Sequence, residues 1–347
     1  MNPITKNNFG NKRCCHLAQE KCNPIIHLLF YNSIKFKIMK TLKFTQIFIV
    51  AVIFSVLTVN AQKQQDYVYI SGTKFTFPLI EKWISEYKKV NPEARIKLQF
   101  NKPLGKQAID STNLRVVAHT LTQEELSPNE IYFQVGKFAL LPITSDRNLV
   151  IKKEFRKGLK QDDLKKVFFI DPNNALNDDQ TISTYTVYTR TNQSCSTIAF
   201  ANHFGLQPTE IKGKKINGED QYLVLAVQKD TTGITYNNLG YVFDLNNRLP
   251  VQGISILPID LNENGKIDKD EQIYDNLDIL TQYLENNQNT KAIPEDYISF
   301  VVNKTQKNET LRQFINWVIV DGQKYNHTYG FLNVKGQDKL LSQNTTW

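Results

Sequence analysis

The chain has 347 residues, with 42 Lys and Arg against 34 Asp and Glu and a formal net charge of +8. Residues 1–61 carry eight of the basic side chains and one acidic one, Glu20, so residues 62–347 hold 34 basic against 33 acidic groups, a net charge of +1. A body this close to neutral gives no reason to expect nucleic-acid binding or adhesion to an anionic membrane.

From Met39 the chain reads "MKTLKFTQIFIVAVIFSVLTVNAQ". Lys40 and Lys43 form a basic start, Ile47 to Val59 an apolar stretch, and Val59-Asn60-Ala61 a small-residue cleavage site, the pattern of a secretory signal peptide. The apolar stretch is short for a membrane span. We therefore expect residues 39–61 to be a signal peptide and residues 1–38 to be upstream sequence translated in error. The expected product is soluble and exported, with a bacterial periplasm the simplest destination. Cys14, Cys15 and Cys22 fall in the leader, so Cys195 is the single cysteine of residues 62–347 and no disulfide can form within them. No cysteine follows the cleavage site to carry a lipid. The remaining 286 residues are enough for two lobes with cores of their own.

Strand and helix signals then alternate. "YVYIS" reads as a strand. "FPLIEKWISEYKKV" reads as a helix, with Leu79, Trp83 and Tyr87 on one face and Ile80 and Ile84 beside them. "RIKLQF", "LRVVA" and "KFALLPIT" are strand-like, and "QDDLKKVFF" is helical. "STYTVYTR" is a strand ending at Arg190, and "SCSTIAFANHFG" is a helix closed by Gly205. "YLVLAVQKD" is helical, and "GITY", "GYVFD" and "GISILPI" read as strands. "IYDNLDILTQYLEN" is a helix, "YISFVVN" a strand and "ETLRQFINWVIVDGQKY" a long helix. This alternation implies an α/β fold with mainly parallel sheets covered by helices.

Three stretches carry chemistry. In "ISGTKFTFPLIEKW" a strand ends at Ser71-Gly72, a turn carries Thr73, Lys74, Phe75 and Thr76, and a helix opens near Pro78. In "VYTRTNQSCSTIAF" a strand delivers Arg190 and a helix opens near Ser194. The first N–H groups of a helix lack internal partners and carry the positive end of its dipole, so an oxyanion can bind there. Ser194 and Ser196 add hydroxyls, and Arg190 offers a guanidinium fork. Two readings stand at this point: a phosphate-like pocket, or a capping serine beside a surface cation.

The third stretch, "DLNENGKIDKDE", has the form of a calcium loop. Such a loop places oxygen ligands at its positions 1, 3, 5, 7, 9 and 12 and a glycine at 6. The expected ligands are Asp260, Asn262, Asn264, the backbone carbonyl of Lys266, Asp268 and Glu271, with Gly265 at the turn and Ile267 packing inward. The other reading is an acidic surface turn. Calcium sensors pair two helix–loop–helix units, whereas this loop follows a strand and has no second copy. It is therefore expected to be a structural calcium clip. His119 and His203 have no second ligand at metal spacing and read as structural.

Taken in order, "SGTKFTFPLIEKWISEYKKVNPEARIKLQF", "YTRTNQSCSTIAFANHFG", "GITYNNLGYVFD" and "FINWVIVDGQKYNHTYGFL" resemble the phosphate-type substrate-binding proteins of ABC transporters. The resemblance spans nearly all of residues 66–334, and the calcium loop looks like an insertion found in a subset of such proteins. It implies a type 2 periplasmic-binding fold, two α/β lobes closing on a ligand in the cleft between them. Lobe I would comprise residues 62–143 and 272–347, and lobe II residues 144–271 with the calcium loop. Carried over by position, phosphate oxygens would meet Arg190, Ser194, the backbone at Cys195, Ser196 and the Lys74–Phe75 turn.

The chain departs from that pattern in several places. Cys195 stands where the family has glycine, Asn192 where it has aspartate, and Lys74 where it has threonine. "NKPLGK" keeps one glycine, Gly105, and "LRVVAHT" presents Arg115 and His119 where a ligand-facing Asp or Ser is expected. The resemblance implies capture of an inorganic oxyanion, phosphate first, for delivery to a transporter permease, with no enzymatic activity. The alternative is an envelope scaffold or sensory protein on the same fold that keeps calcium as its only ligand.

Overall fold

Hydrophobic spacing and turn residues build the elements in chain order: β1 (Val68–Gly72), α1 (Phe77–Val90), β2 (Ile96–Leu98), β3 (Leu114–Val117) and β4 (Glu130–Ser145). There follow α2 (Leu149–Glu154), α3 (Gln161–Phe168), β5 (Thr186–Arg190), α4 (Cys195–His203), β6 (Lys214–Ile216) and α5 (Gln221–Lys229). The chain continues with β7 (Gly233–Asn238), α6 (Leu239–Val242), β8 (Ile254–Ile256), α7 (Leu277–Asn286), β9 (Glu295–Asn303) and α8 (Glu309–Val320). The computed structural model describes residues 67–100, 113–170, 185–191, 194–287 and 290–334. The leader (1–38), the signal peptide (39–61), the Gly105 turn and Asn192 lie outside the described residues.

The strands form one sheet in the order β2-β1-β3-β9-β4-β7-β5-β6, with β8 on β4. Pairing is parallel among β1, β2 and β3 and among β5, β6 and β7, and antiparallel wherever β4 or β9 takes part. The expected α/β sheet flanked by helices is present, but its parallel parts are joined by two long antiparallel strands. Along Glu130–Ala139, β4 pairs with β9; from Leu140 to Thr144 it pairs with β7. A bulge between Gln134 and Gly136 adds twist in the first of these stretches. One strand thus belongs to two strand groups, β1-β2-β3-β9 before it and β7-β8-β5-β6 after it.

Each group has its own aromatic packing. In the first, α1 buries Leu79, Ile80, Trp83, Ile84 and Tyr87. Trp83 meets Phe300 edge-on, with ring centroids 5.8 Å apart, and donates Nε1–H to the Gly322 carbonyl at 2.9 Å. In the second, Phe200 of α4 stacks on Tyr236 of β7 at 3.8 Å and packs against Phe168 and Phe169. That stack fixes α4 over the sheet. The segment "GYVFD" is not a strand: Leu239 to Val242 form the short helix α6, with both of those residues buried. Two apolar residues three apart share one helical face, and here that spacing prevails over the short β-branched run.

Glu86 ties α1 to the C-terminal segment. Its carboxylate accepts from Lys82 and Lys89, each at 2.7 Å, and from the Tyr325 hydroxyl at 3.1 Å. The Lys82 and Lys89 hydrogen bonds hold it at about 2, against an ordinary 4.5. A carboxylate whose folded value lies below its unfolded one stabilises above the unfolded value, and that contribution fades as pH falls toward the folded one. Melting temperatures of the wild type and Glu86→Gln should therefore differ above about pH 5 and converge toward about pH 2. Parallel curves over that range would mean that the carboxylate contributes nothing.

Candidate functional site

Two helix-opening turns face each other. The first begins at Gly72, whose φ is +129° and whose Cβ, if present, would lie 2.1 Å from the Val116 carbonyl oxygen. Glycine alone permits that approach. Thr73 then donates its N–H to the same carbonyl at 3.0 Å, and a 3-10 turn over Lys74–Thr76 leads into α1. The Phe75 ring packs inward against Phe138 and Phe331, at 5.1 and 6.2 Å between centroids.

The second turn opens α4. Ser194 is the N-cap: its backbone is extended, and its Oγ accepts the Thr197 N–H at 3.3 Å. Gly205, with φ +71°, closes the helix as its sequence position predicts. Cys195 and Ser196 occupy the first two helical positions, where backbone N–H groups have no intrahelical acceptor. Thr73 Oγ1 lies 3.0 Å from Cys195 Sγ. The strand group before β4 and the group after it meet at this contact.

Behind the helix opening sits a buried ion pair. Arg190 Nη1 donates to Asp220 Oδ1, and the Ser196 hydroxyl donates to Asp220 Oδ2 at 3.0 Å. Ser194 Oγ lies 2.9 Å from Ser196 Oγ and 3.0 Å from Thr197 Oγ1. Asn237 donates to the Asp220 carbonyl at 2.8 Å, which fixes the start of α5. Asp220 is 4 % exposed, and burial pushes its carboxyl above the usual range against the pull of Arg190. The Arg190 Nε is buried and has no hydrogen-bond partner among the described residues. A guanidinium with one unmet donor, two hydroxyls and a helix N-terminus form a site complementary to an oxyanion.

The structure therefore brings Arg190, Ser194, Cys195 and Ser196 together, with Thr73 opposite; no contact places Phe75 there. Lys74 is placed differently. It forms a solvent-exposed 3.1 Å ion pair with Glu219, next to Asp220. Arg115 pairs with Glu130 at 3.2 Å. His119 is not a simple core histidine. It is 6 % exposed, and its Nε2 lies 2.7 Å from Glu125 Oε1. His203 stacks edge-on to Phe204, and burial lowers its basicity, in keeping with a structural role.

Asp220 and the His119–Glu125 pair escaped sequence reasoning. Asp220 stands just before a helix in "NGEDQYL", where an acid reads as an ordinary cap. Glu125 closes a capping box with Thr122 in "LTQEEL", the one local signal that its carboxylate is held in place.

Residues 260–271 form a turn with two positive-φ positions. Gly265 has φ +88° and Glu263 φ +56°. Asp260, fully buried, accepts the N–H groups of Asn264 at 3.2 Å and Gly265 at 2.7 Å. Glu271, 1 % exposed, accepts from Leu261 (2.8 Å), Asn262 (3.1 Å) and Asp268 (2.8 Å). The amides of Asn262 and Asn264 both donate to Asp268, and Lys266 pairs with Asp268 at 2.5 Å. Ile267 is half-buried, with its Cδ1 close to Gly158. Among the described residues no three His, Cys, Asp or Glu side chains are grouped as a metal cluster. Three of the six expected ligands are amide or backbone oxygens, so the donor set for a hard cation does not rest on carboxylates alone. Two buried carboxylates without a cationic side chain in their hydrogen bonds fit that cation chemically.

No family model matches the sequence, and no curated protein matches it. Solved structures do. One is described as a candidate phosphate ABC transporter substrate-binding protein from Clostridium perfringens with bound phosphate. It is 18 % identical, with a TM-score of 0.56, over 78 % of this chain and 100 % of that one. Another, an ABC-type phosphate transport receptor from Vibrio cholerae, is 13 % identical, with a TM-score of 0.51, over 77 % and 100 %. The chain shares the fold of these binding proteins. Among the described residues no helix is long and apolar enough to cross a membrane.

Removing Asp220 would leave a guanidinium buried without its counter-charge. Asp220→Ala should cost about 3–5 kcal/mol of stability, read by chemical denaturation. A loss below about 1 kcal/mol, the range of exposed pairs, would show that the pair is not structural.

Proposed function

We propose that the protein is an exported solute-binding protein that captures an inorganic oxyanion, phosphate before others, and passes it to an ABC-type permease. One observation carries this reading: two helix-opening turns from different strand groups approach to 3.0 Å at Thr73 and Cys195, beside a half-buried arginine whose Nε has no hydrogen-bond partner among the described residues. The fold shared with phosphate-binding proteins supports it. In this reading the lobes are residues 62–143 with 272–347 and residues 144–271, and β4 and β9 form the hinge. The anion sits against Arg190, Ser194, Ser196 and the N–H groups of α4, and the Thr73–Phe75 turn closes over it. Closure is driven by contacts that both lobes make only when they meet. Lys74 and Glu219 latch the rim.

Titration calorimetry with phosphate tests the site. The wild type should bind one anion per chain, and Arg190→Ala should weaken binding by about 100-fold, the scale of a lost charge-assisted interaction. Equal affinity in both would remove Arg190 from the site.

We further propose that the loop holds a structural calcium ion through Asp260, Asn262, Asn264, the Lys266 carbonyl, Asp268 and Glu271. Calcium neutralises the buried Asp260 and Glu271 there and pins the segment between β8 and α7. At calcium about 100-fold above its Kd the folded state gains about 2.7 kcal/mol. A chelator should therefore lower the melting temperature, and Glu271→Gln should abolish that difference. Equal melting of the wild type with and without chelator would leave the loop as a hydrogen-bonded turn.

A second reading, a scaffold whose only ligand is calcium, is favoured by one observation: Lys74 is committed to Glu219. Absence of phosphate binding together with a calcium-dependent melting temperature would select it.

A further inference from the structure

β2 is the last strand at one end of the sheet, with β1 on one side and no strand on the other among the described residues. Its pairing with β1 decides what the open edge presents. The Arg95 carbonyl accepts the Val68 N–H, and the Gln99 N–H donates to the Ile70 carbonyl, both at 2.8 Å. The odd-numbered residues therefore face β1, and the N–H and C=O groups of Ile96 and Leu98 point to the open edge. Beside that edge, α1 and β2 form a groove of about 440 Å³ lined by Ile84, Ile96 and Leu98 and flanked by Glu81, Ser85 and Lys88. Phe100, 56 % exposed, stands at one end of it, edge-on to Phe77 at 5.3 Å. Val90, 69 % exposed, ends α1 at the other. We propose that this edge is the interface of a homodimer, in which β2 pairs antiparallel with β2 of a second copy and the two α1 helices pack side by side.

Short length and an edge lysine are what discourage strand addition, and β2 has both. The lysine, however, is out of the way. Lys97 alternates to the face opposite Ile96 and Leu98, where its Nζ lies 4.1 Å from the centroid of the Tyr67 ring. A two-fold axis beside Lys97 sets Ile96 opposite Leu98 of the second copy, and Leu98 opposite its Ile96. Both members of each pair point to the edge, so each pair exchanges both of its backbone hydrogen bonds. The axis stands perpendicular to the sheet and brings α1 antiparallel beside its copy.

Charge selects a second copy over an unrelated strand. Glu81, Ser85 and Lys88 share one exposed helical face. Lys82 and Lys89 are taken by Glu86, whereas Glu81 and Lys88 pair with no other charge among the described residues. Because Phe100 rests on Phe77 at the start of α1, the middle of β2 lies level with the middle of the helix, and the same axis passes beside Ser85. It sets Glu81 of each copy against Lys88 of the other. It also carries Phe100 to Ala94 and Val90 of the second copy, so the exposed apolar ends of the groove cover each other. α1 has 14 residues and is about 21 Å long. One helix face and a three-residue edge make a contact at the small end of specific interfaces, with dissociation on the order of micromolar. β2 lies at the opposite end of the sheet from β5 and β6, so the dimer leaves the Arg190 turn uncovered and is independent of the anion-binding reading.

Sedimentation velocity of the full chain, from about 1 to about 100 µM, should show a monomer–dimer equilibrium. Glu81→Lys and Lys88→Glu should each weaken it on the order of tenfold, because the two-fold repeats every unfavourable contact. The double variant exchanges the charges and should restore wild-type association. At the axis, Lys97 of the two copies forms a non-hydrogen-bonded pair with Cα atoms about 4.5 Å apart, within reach of a disulfide. Lys97→Cys should therefore give a covalent dimer on mild oxidation, under conditions that leave the wild type, which keeps Cys195, without a cross-link. A wild type that stays monomeric at about 100 µM would overturn the homodimer and leave the groove to a strand of another protein. A dimer that ignores both single variants and is not captured through position 97 would overturn it as well, by placing the interface elsewhere. A double variant as weak as the single ones would remove the pairing of Glu81 with Lys88.

Discussion

Between Ala139 and Leu140, β4 leaves its pairing with β9 and takes up pairing with β7. Backbone hydrogen bonds of a ladder run in one direction across the sheet, so this exchange of partners sets the two strand groups end to end along a single strand. The carboxyl ends of β1 and β5, in different groups, then point their following turns at one another. In open α/β sheets ligands sit beyond the carboxyl ends of the strands. Gly72 and Arg190 are the last residues of those two strands. The approach of the two turns is thus a consequence of β4, and the residues that meet there are placed by strand ends rather than by long loops.

Charge sets the chemistry where the turns meet. Two helix openings in close approach put positive partial charges face to face, and Arg190 adds a full one. Asp220 offsets part of this through two hydrogen bonds, at the expense of its own burial. The Arg190 Nε stays without a hydrogen-bond partner among the described residues. Cys195 stands at the same helix opening, with Thr73 Oγ1 3.0 Å from its sulfur.

The regular elements were legible because their period is local. The α1 stripe from Leu79 to Tyr87, the Ser194 cap with its Gly205 stop, and the 260–271 loop each encode their shape within about four turns or fewer. "GYVFD" misled because a run of five residues cannot separate a period of two from one of three. The mixed character of the sheet was hidden because parallel and antiparallel strands have the same alternation; only register distinguishes them. In the site, Arg190, Ser194 and Ser196 could be read because one turn carries them all. Asp220 could not, since it reaches Ser196 and Arg190 through the fold across 24 and 30 positions, and the six-residue His119–Glu125 contact follows no helix or strand period. Lys74 was read as a ligand from its place in the turn, but its long side chain carries the charge outward to Glu219.

A crystal structure of the protein grown with phosphate tests the central claim most directly. The account predicts a tetrahedral anion at the N-terminus of α4, accepting from Arg190, Ser194 and Ser196 and from the backbone of the Thr73–Phe75 turn, with Asp220 still on Arg190. An anion bound elsewhere, or a cleft in which Thr73 remains against Cys195 with no anion between the turns at saturating phosphate, would contradict it.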